Sequence, residues 1–166
     1  MKLTEKKKLI LINIVCLVAL TVILWPLLLL AKYDYPTADD WSFGKYMYRA
    51  MQAGEGLSGV FHAISETLSQ NVWEARFSIL ILSALQPAAF GEHFLMIGSV
   101  IVSQLLLIRE CIGGQEKENR LLVLPIGIPM AIFQILYCTN PEESFYWYNG
   151  SVNYTFVYSL SLILLV

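Results

Sequence analysis

The chain has 166 residues, of which 57% are apolar and 14% are charged, and its formal net charge at neutral pH is −2. Soluble globular chains carry about 25% charged residues, so this composition excludes a soluble globular domain and predicts an integral membrane protein. The largest basic cluster is a run of three lysines at residues 6–8, which is too small to follow a nucleic-acid backbone. The sequence therefore predicts membrane lipid, and no nucleic acid, as the partner.

The first apolar run, residues 9–30, contains no charged residue. At about 1.5 Å per residue it is long enough to cross a hydrocarbon core of about 30 Å, which predicts a transmembrane helix. It is too long for the apolar region of a cleaved signal peptide, so we expect an uncleaved anchor. Residues 2–8 are rich in lysine, and basic flanks stay in the cytoplasm; the N-terminus is predicted to be cytoplasmic and the next loop outside.

That outer loop, residues 32–76, contains two segments with the pattern of amphipathic helices. Apolar residues recur at helical spacing over residues 57–68, which predicts a helix lying along the membrane surface. Residues 41–51 are rich in aromatic side chains, which predicts a second surface helix at headgroup level. Residues 77–90 are expected to lie in the interface or to re-enter the membrane.

Charge placement predicts how the remaining apolar runs cross the membrane. Basic residues flank the short loop at residues 109–120, whereas residues 139–153 contain no lysine or arginine. The first loop is therefore predicted to be cytoplasmic and the second to be outside, with spans over residues 94–108 and 121–138. Residues 154–166 are too few to cross a bilayer of about 30 Å, which predicts an incomplete last span.

Together these runs predict an all-α fold of polytopic transmembrane helices with interfacial amphipathic helices in the first outer loop. Residues 1–166 are expected to form one membrane-embedded domain of a multi-pass protein of the cell membrane. Because the last span is incomplete, we expect the chain to be the N-terminal part of a larger membrane protein.

The most notable polar feature is the pair of adjacent carboxylates at Asp39 and Asp40, early in the outer loop. Two neighbouring acids cannot both be desolvated and ionised without a partner, which indicates a shared proton, a divalent cation or a bound cationic group. The alternative is a solvated turn in which one of the two caps the helix that follows. The two interpretations are compatible, and both stay open.

The basic tail, the acidic pair and the amphipathic helices of the outer loop resemble those of the C-type glycosyltransferase superfamily, or of a bacterial multi-span membrane family related to it. The similarity extends through the segments at residues 73–76, 142–147 and 150–154. This resemblance implies transfer of a sugar from a polyprenyl-phosphate carrier on the outer face of the membrane, in the cell envelope. In that superfamily an acidic residue of the first outer loop acts as catalytic base or as metal ligand.

Carried over to this sequence, the resemblance implies that one of Asp39 and Asp40 is the catalytic base and the other a metal or acceptor contact. The two residues are almost equal candidates for each role. The implied metal is Mg²⁺ or Mn²⁺, since both prefer oxygen ligands. Arg76 would bind the phosphate of the carrier as a bidentate donor. Its alternative role is that of an arginine whose guanidinium extends to the lipid headgroups.

Three further residues are candidate substrate contacts in the second outer loop. Glu142 and Glu143 are predicted to lie on the same side of the membrane as the first acidic pair and to share a metal or substrate with it. The alternative interpretation is that both carboxylates are simply solvated in a short loop. Trp147 belongs to an aromatic cluster that would stack on a sugar ring or a prenyl tail, and an interfacial aromatic belt explains it as well.

Two other functions remain open from the sequence. Pro125, Pro129 and the interrupted apolar run at residues 77–108 are typical of the broken helices of a transporter or lipid-handling protein. Transporters usually place ionisable residues within their spans, and the predicted spans are charged only at their ends. A small non-enzymatic membrane subunit is the other alternative, and it would need no active site.

Overall fold

The computed structural model describes residues 3–33, 35–37, 39–71, 76–86, 92–113, 116 and 119–166. Over these ranges the chain is helical and contains no β-strand, which confirms the predicted all-α class. The helices are α1 (Leu3–Leu30), α2 (Asp39–Ala53), α3 (Gly56–Gln70), α4 (Phe77–Ala84), α5 (Glu92–Cys111), α6 (Val123–Leu136), α7 (Tyr148–Ser151) and α8 (Val157–Leu164). Two π-helical turns, Glu142–Tyr146 and Val152–Phe156, flank α7.

Two helical stretches of the described chain are long and apolar enough to cross a membrane. Thr4–Tyr33 has 30 residues and contains the predicted span over 9–30, while His93–Cys111 has 19 residues and contains the predicted span over 94–108. Arg120–Leu136 is apolar but shorter, and α8 has only 8 residues. The length and apolar composition of the two longest helical stretches therefore support association of this chain with a membrane.

Two hydrogen bonds define opposite ends of the helix bundle. The side chain of Asn13 donates to the carbonyl of Leu121 at 2.9 Å, which places the start of α6 beside the lysine-rich start of α1. The hydroxyl of Tyr146 donates to the carbonyl of Leu27 at 2.9 Å, which places the first π-helical turn beside the other end of α1. We refer to these as the lysine end and the loop end of the bundle.

Apolar side chains from α1, α5, α6 and residues 142–156 form the core of the bundle: Leu24, Met96, Ile97, Val100, Ile135, Phe145, Tyr148 and Val152. Helices α5 and α6 approach closely at Gly127, where an added Cβ would lie 2.7 Å from Cδ2 of Leu105. The amide of Gln104 also donates to Oε1 of Gln134 at 2.6 Å between these helices. Small residues and interhelical hydrogen bonds are typical of helices that pack within a bilayer.

Residues 57–68, predicted to form an amphipathic helix, are helical and belong to α3. Its buried residues are the small ones, Gly59, Ala63 and Thr67, because α2 lies directly against them. The larger apolar side chains of Leu57 and Phe61 are 78% and 72% exposed. A helix with large apolar side chains pointing outward is typical of a surface that contacts lipid.

The other two interfacial predictions also fall on helices. Residues 41–51 lie within α2, which begins two residues earlier, at Asp39. Residues 77–84 form α4, and residues 87–91 lie outside the described residues. Helices α2, α3 and α4 pack against one another and form a three-helix layer.

Candidate functional site

The two adjacent aspartates at the start of α2 have different surroundings. Asp39 is exposed, whereas Asp40 is 3% exposed. One carboxylate oxygen of Asp40 accepts the backbone N–H of Asn149 at 3.0 Å, and the other accepts the backbone N–H of Thr37 at 3.2 Å. Asp40 therefore joins the first turn of α2 to α7, while the carboxylate of Asp39 stays accessible.

The contact with Asn149 exists because the backbone is interrupted at Trp147. Trp147 has an extended conformation, with φ −80° and ψ 106°, between the first π-helical turn and α7. The N–H groups in the first turn of a helix have no partner within that helix, and an anionic side chain there is favourable. The carboxylate of Asp40 supplies the acceptor that Asn149 needs.

A chain of side-chain hydrogen bonds connects α4 to the segment after Trp147. The hydroxyl of Ser83 donates to Oδ1 of Asn149 at 2.5 Å. The amide of Asn153 donates to the carbonyl of Asn149 at 2.7 Å. Arg76, at the start of α4, donates from Nη1 to Oδ1 of Asn153 at 3.0 Å. These bonds hold the guanidinium beside α7.

A cavity of about 140 Å³ opens among these elements, and we call it the polar cavity. Phe43 and Leu80 contribute apolar walls. Its polar lining comes from α2, α4 and the segment around α7: Asp39, Arg76, Ser83, Trp147, Asn149 and Asn153. The cavity thus combines an accessible carboxylate, a guanidinium, amide groups and an aromatic ring, which are the groups that proteins use to bind polar ligands.

Trp147 is held tightly at this cavity. A Cβ added to Gly150 would lie 2.5 Å from the Trp147 ring, so only glycine allows the ring to pack there. The indole nitrogen of Trp147 is buried and has no hydrogen-bond partner among the described residues. Buried donors are almost always paired, so an acceptor oxygen of a ligand is a candidate partner for this N–H.

The structure brings three of the six predicted site residues together and separates the other three. Asp39, Arg76 and Trp147 line the polar cavity. Asp40 is buried and does not line this cavity. Glu142 and Glu143 are exposed on the first π-helical turn and are not part of the cavity lining; Oε2 of Glu143 accepts a hydrogen bond from the Asn140 amide at 3.4 Å.

Some residues of the site were not assigned from the sequence. Ser83, Asn149 and Asn153 carry the hydrogen bonds that position Arg76. The available signal was the spacing of Asn149 and Asn153, because residues four apart share one face of a helix. Residues 72–75, which directly precede Arg76, lie outside the described residues.

The described lining of the polar cavity supplies few ligands for the Mg²⁺ or Mn²⁺ that the resemblance implies. Asp39 is the only carboxylate among the described lining residues, and the Arg76 guanidinium shares the space. Both carboxylate oxygens of Asp40 accept backbone N–H groups. The described residues contain no group of three or more His, Cys, Asp or Glu side chains placed to hold a metal ion. Magnesium prefers oxygen ligands in near-octahedral geometry, and Asp39 is the one carboxylate that the described residues would supply to it here, beside the Arg76 guanidinium.

Comparison with protein-family models, curated proteins and solved structures finds no match for this chain. Functional assignment therefore rests on the chain's own residues.

Proposed function

We propose that this chain is part of a membrane glycosyltransferase that moves a sugar from a polyprenyl-phosphate carrier at the outer face of the membrane. One observation carries the proposal: Asp39, Arg76 and Trp147, from three separate segments, line a single polar cavity. The sequence resemblance implies a base, or a metal or acceptor contact, at Asp39 and a phosphate ligand at Arg76, and the aromatic cluster that contains Trp147 is a candidate to stack on a sugar ring or a prenyl tail.

The proposed reaction is an inverting displacement at the anomeric carbon of the sugar. The acceptor hydroxyl attacks that carbon, its proton passes to the carboxylate of Asp39, and the bond from the carbon to the phosphate oxygen breaks. Polyprenyl phosphate leaves with the bonding electron pair. A general base of this kind must be accessible and close to the attacking hydroxyl, and Asp39 is exposed at the cavity whereas Asp40 is not.

Arg76 and Trp147 have separate roles in this proposal. The guanidinium offsets the negative charge that develops on the departing phosphate, and its planar donors match two phosphate oxygens. The indole N–H of Trp147 donates to a sugar hydroxyl, and its ring packs against the sugar. Asp40 is a positioning residue, because it acts through the backbone of Asn149.

The proposal includes a multi-pass arrangement with the N-terminus in the cytoplasm. Residues 6–8 lie at the lysine end, and Arg109 and Arg120 line one cavity beside the start of α6 at that same end. The positive-inside rule puts that end in the cytoplasm. The first π-helical turn lies at the loop end, so the polar cavity faces outward. In this arrangement α1, α5 and α6 cross the membrane, and α8 belongs to an incomplete span.

Replacing Arg76 tests the proposal. We expect Arg76→Gln in the full chain to lower kcat/KM for transfer from a tritium-labelled hexosyl polyprenyl phosphate by about 10²-fold, since it removes the cation from the developing phosphate charge. The measurement is the appearance of water-soluble tritium together with free polyprenyl phosphate in reconstituted vesicles.

Asn153→Ala is the matched control for this variant. It removes the hydrogen bond that Arg76 donates to Asn153, together with the one that Asn153 donates to the carbonyl of Asn149, but keeps the guanidinium. We expect a loss of less than about 10-fold, because the positive charge at the cavity is retained. Equal losses in both variants would show that Arg76 only holds the fold together, and full activity of Arg76→Gln would rule out its role in catalysis.

A further inference from the structure

A second, larger cavity runs along the opposite face of α2 from the polar cavity. Its volume is about 500 Å³. We call it the α2 groove and define it by Trp41, Lys45, Tyr48, Arg49 and the facing Gln86. The α2 positions follow each other at helical spacing, so they form one continuous stripe.

The described lining of the α2 groove contains two cations and one acid. Lys45 and Arg49 are both exposed and lie one helical turn apart. In the part of the chain that the structure describes, no carboxylate lies within 4.0 Å of either cation. Asp40 is the one acid in the lining, and its oxygens accept backbone N–H groups. The described lining of the groove therefore has an excess of positive charge.

Two large aromatic side chains lie beside these cations. Trp41 is 60% exposed and Tyr48 is 52% exposed. Tryptophan and tyrosine concentrate where a bilayer meets water, because their rings are apolar at one edge and polar at the other. Exposed aromatic rings next to lysine and arginine are typical of a surface that contacts the headgroup layer.

The position of α2 in the chain places the groove near that layer. The apolar helical stretch Thr4–Tyr33 is long enough to cross a membrane, and residues 34–38 alone connect it to α2. At about 3.5 Å per residue, so short a connection keeps the start of α2 close to the end of that stretch. The groove is thus within reach of lipid headgroups at the loop end.

We propose that the α2 groove binds the phosphate group of an anionic membrane lipid. Lys45 and Arg49 donate hydrogen bonds to the phosphate oxygens, Gln86 faces them across the groove, and Trp41 and Tyr48 pack against the glycerol and the upper acyl chains. This site is separate from the polar cavity, since the two cavities lie on opposite faces of α2. It holds the outer-loop helices on the membrane surface.

The test compares two double variants with the same change in net charge. Lys45→Gln with Arg49→Gln removes the groove cations, whereas Lys6→Gln with Lys7→Gln removes two exposed cations at the lysine end. The full chain in a non-ionic detergent is titrated with phosphatidylglycerol, and native mass spectrometry gives the dissociation constant of the first bound lipid. Because all four side chains are exposed, both variants are expected to keep the fold.

We expect the groove variant to bind phosphatidylglycerol about 30-fold more weakly, while the control keeps wild-type affinity. Equal losses in both variants would show attraction by overall charge and would overturn the proposal, as would no loss in the groove variant. Equal binding of phosphatidylcholine would show that the anionic headgroup is not recognised. Displacement of the lipid by inorganic phosphate at matched concentration would show a free-phosphate site instead.

Discussion

Asp39→Asn is expected to lower the rate of sugar transfer by about 10²- to 10⁴-fold, which is the usual contribution of a general base. Asparagine has nearly the same shape as aspartate but cannot accept the proton of the acceptor hydroxyl. Asp39 is exposed at the cavity, so the substitution is expected to leave the stability of the fold unchanged. The measurement is kcat/KM for transfer by the reconstituted full chain, together with its thermal unfolding midpoint.

Glu142→Gln is the control for this prediction. Glu142 is also exposed, belongs to the segment next to the cavity, and does not line it. We expect this variant to keep wild-type activity. A loss in Glu142→Gln as large as that in Asp39→Asn would instead favour the shared site of the two acidic pairs that the sequence suggested.

Asp40→Ala is expected to destabilise the chain by about 3 kcal/mol. The substitution leaves the backbone N–H of Asn149 buried without its acceptor, and it also removes the acceptor for Thr37. Because Asn149 and Asn153 position Arg76, transfer activity is expected to fall with stability. Equilibrium unfolding in mixed detergent micelles measures the change.

Asp40→Asn separates a positioning role from a catalytic one. Its remaining side-chain oxygen can still accept the N–H of Asn149, so we expect it to recover about half of the lost stability and part of the activity. If Asp40 were the base, Asp40→Asn would be stable and as inactive as Asp40→Ala. That result would reverse the assignment of the two aspartates.

The long apolar helices could be predicted from the sequence because their signal is local. Residues 9–30 and 94–108 lie in runs with few charges, and both fall inside helices long enough to cross a membrane. The surface helix over residues 57–68 was predictable from its spacing. Its buried face was not, because the small side chains of Gly59 and Ala63 are covered by α2, a partner that spacing does not reveal.

The different roles of the two aspartates could not be predicted from the sequence. Asp39 and Asp40 are neighbours with the same chemistry, so the sequence does not distinguish their roles. What distinguishes them is a contact between Asp40 and Asn149, which are 109 positions apart. That contact depends on the extended backbone at Trp147, a break between two π-helical turns that no sequence pattern indicated. The site therefore follows from tertiary structure.

The most direct test of the central claim is to locate the carrier phosphate on the protein. The full chain in vesicles is labelled with polyprenyl phosphate that carries a photoreactive group beside its phosphate, and mass spectrometry identifies the cross-linked residues. We predict cross-links at the polar cavity, on the segments that contain Arg76 and Trp147, and their loss when unlabelled carrier is in excess. Labelling confined to the α2 groove or to Arg109 and Arg120 at the lysine end, or labelling that excess carrier does not reduce, would contradict the proposed site.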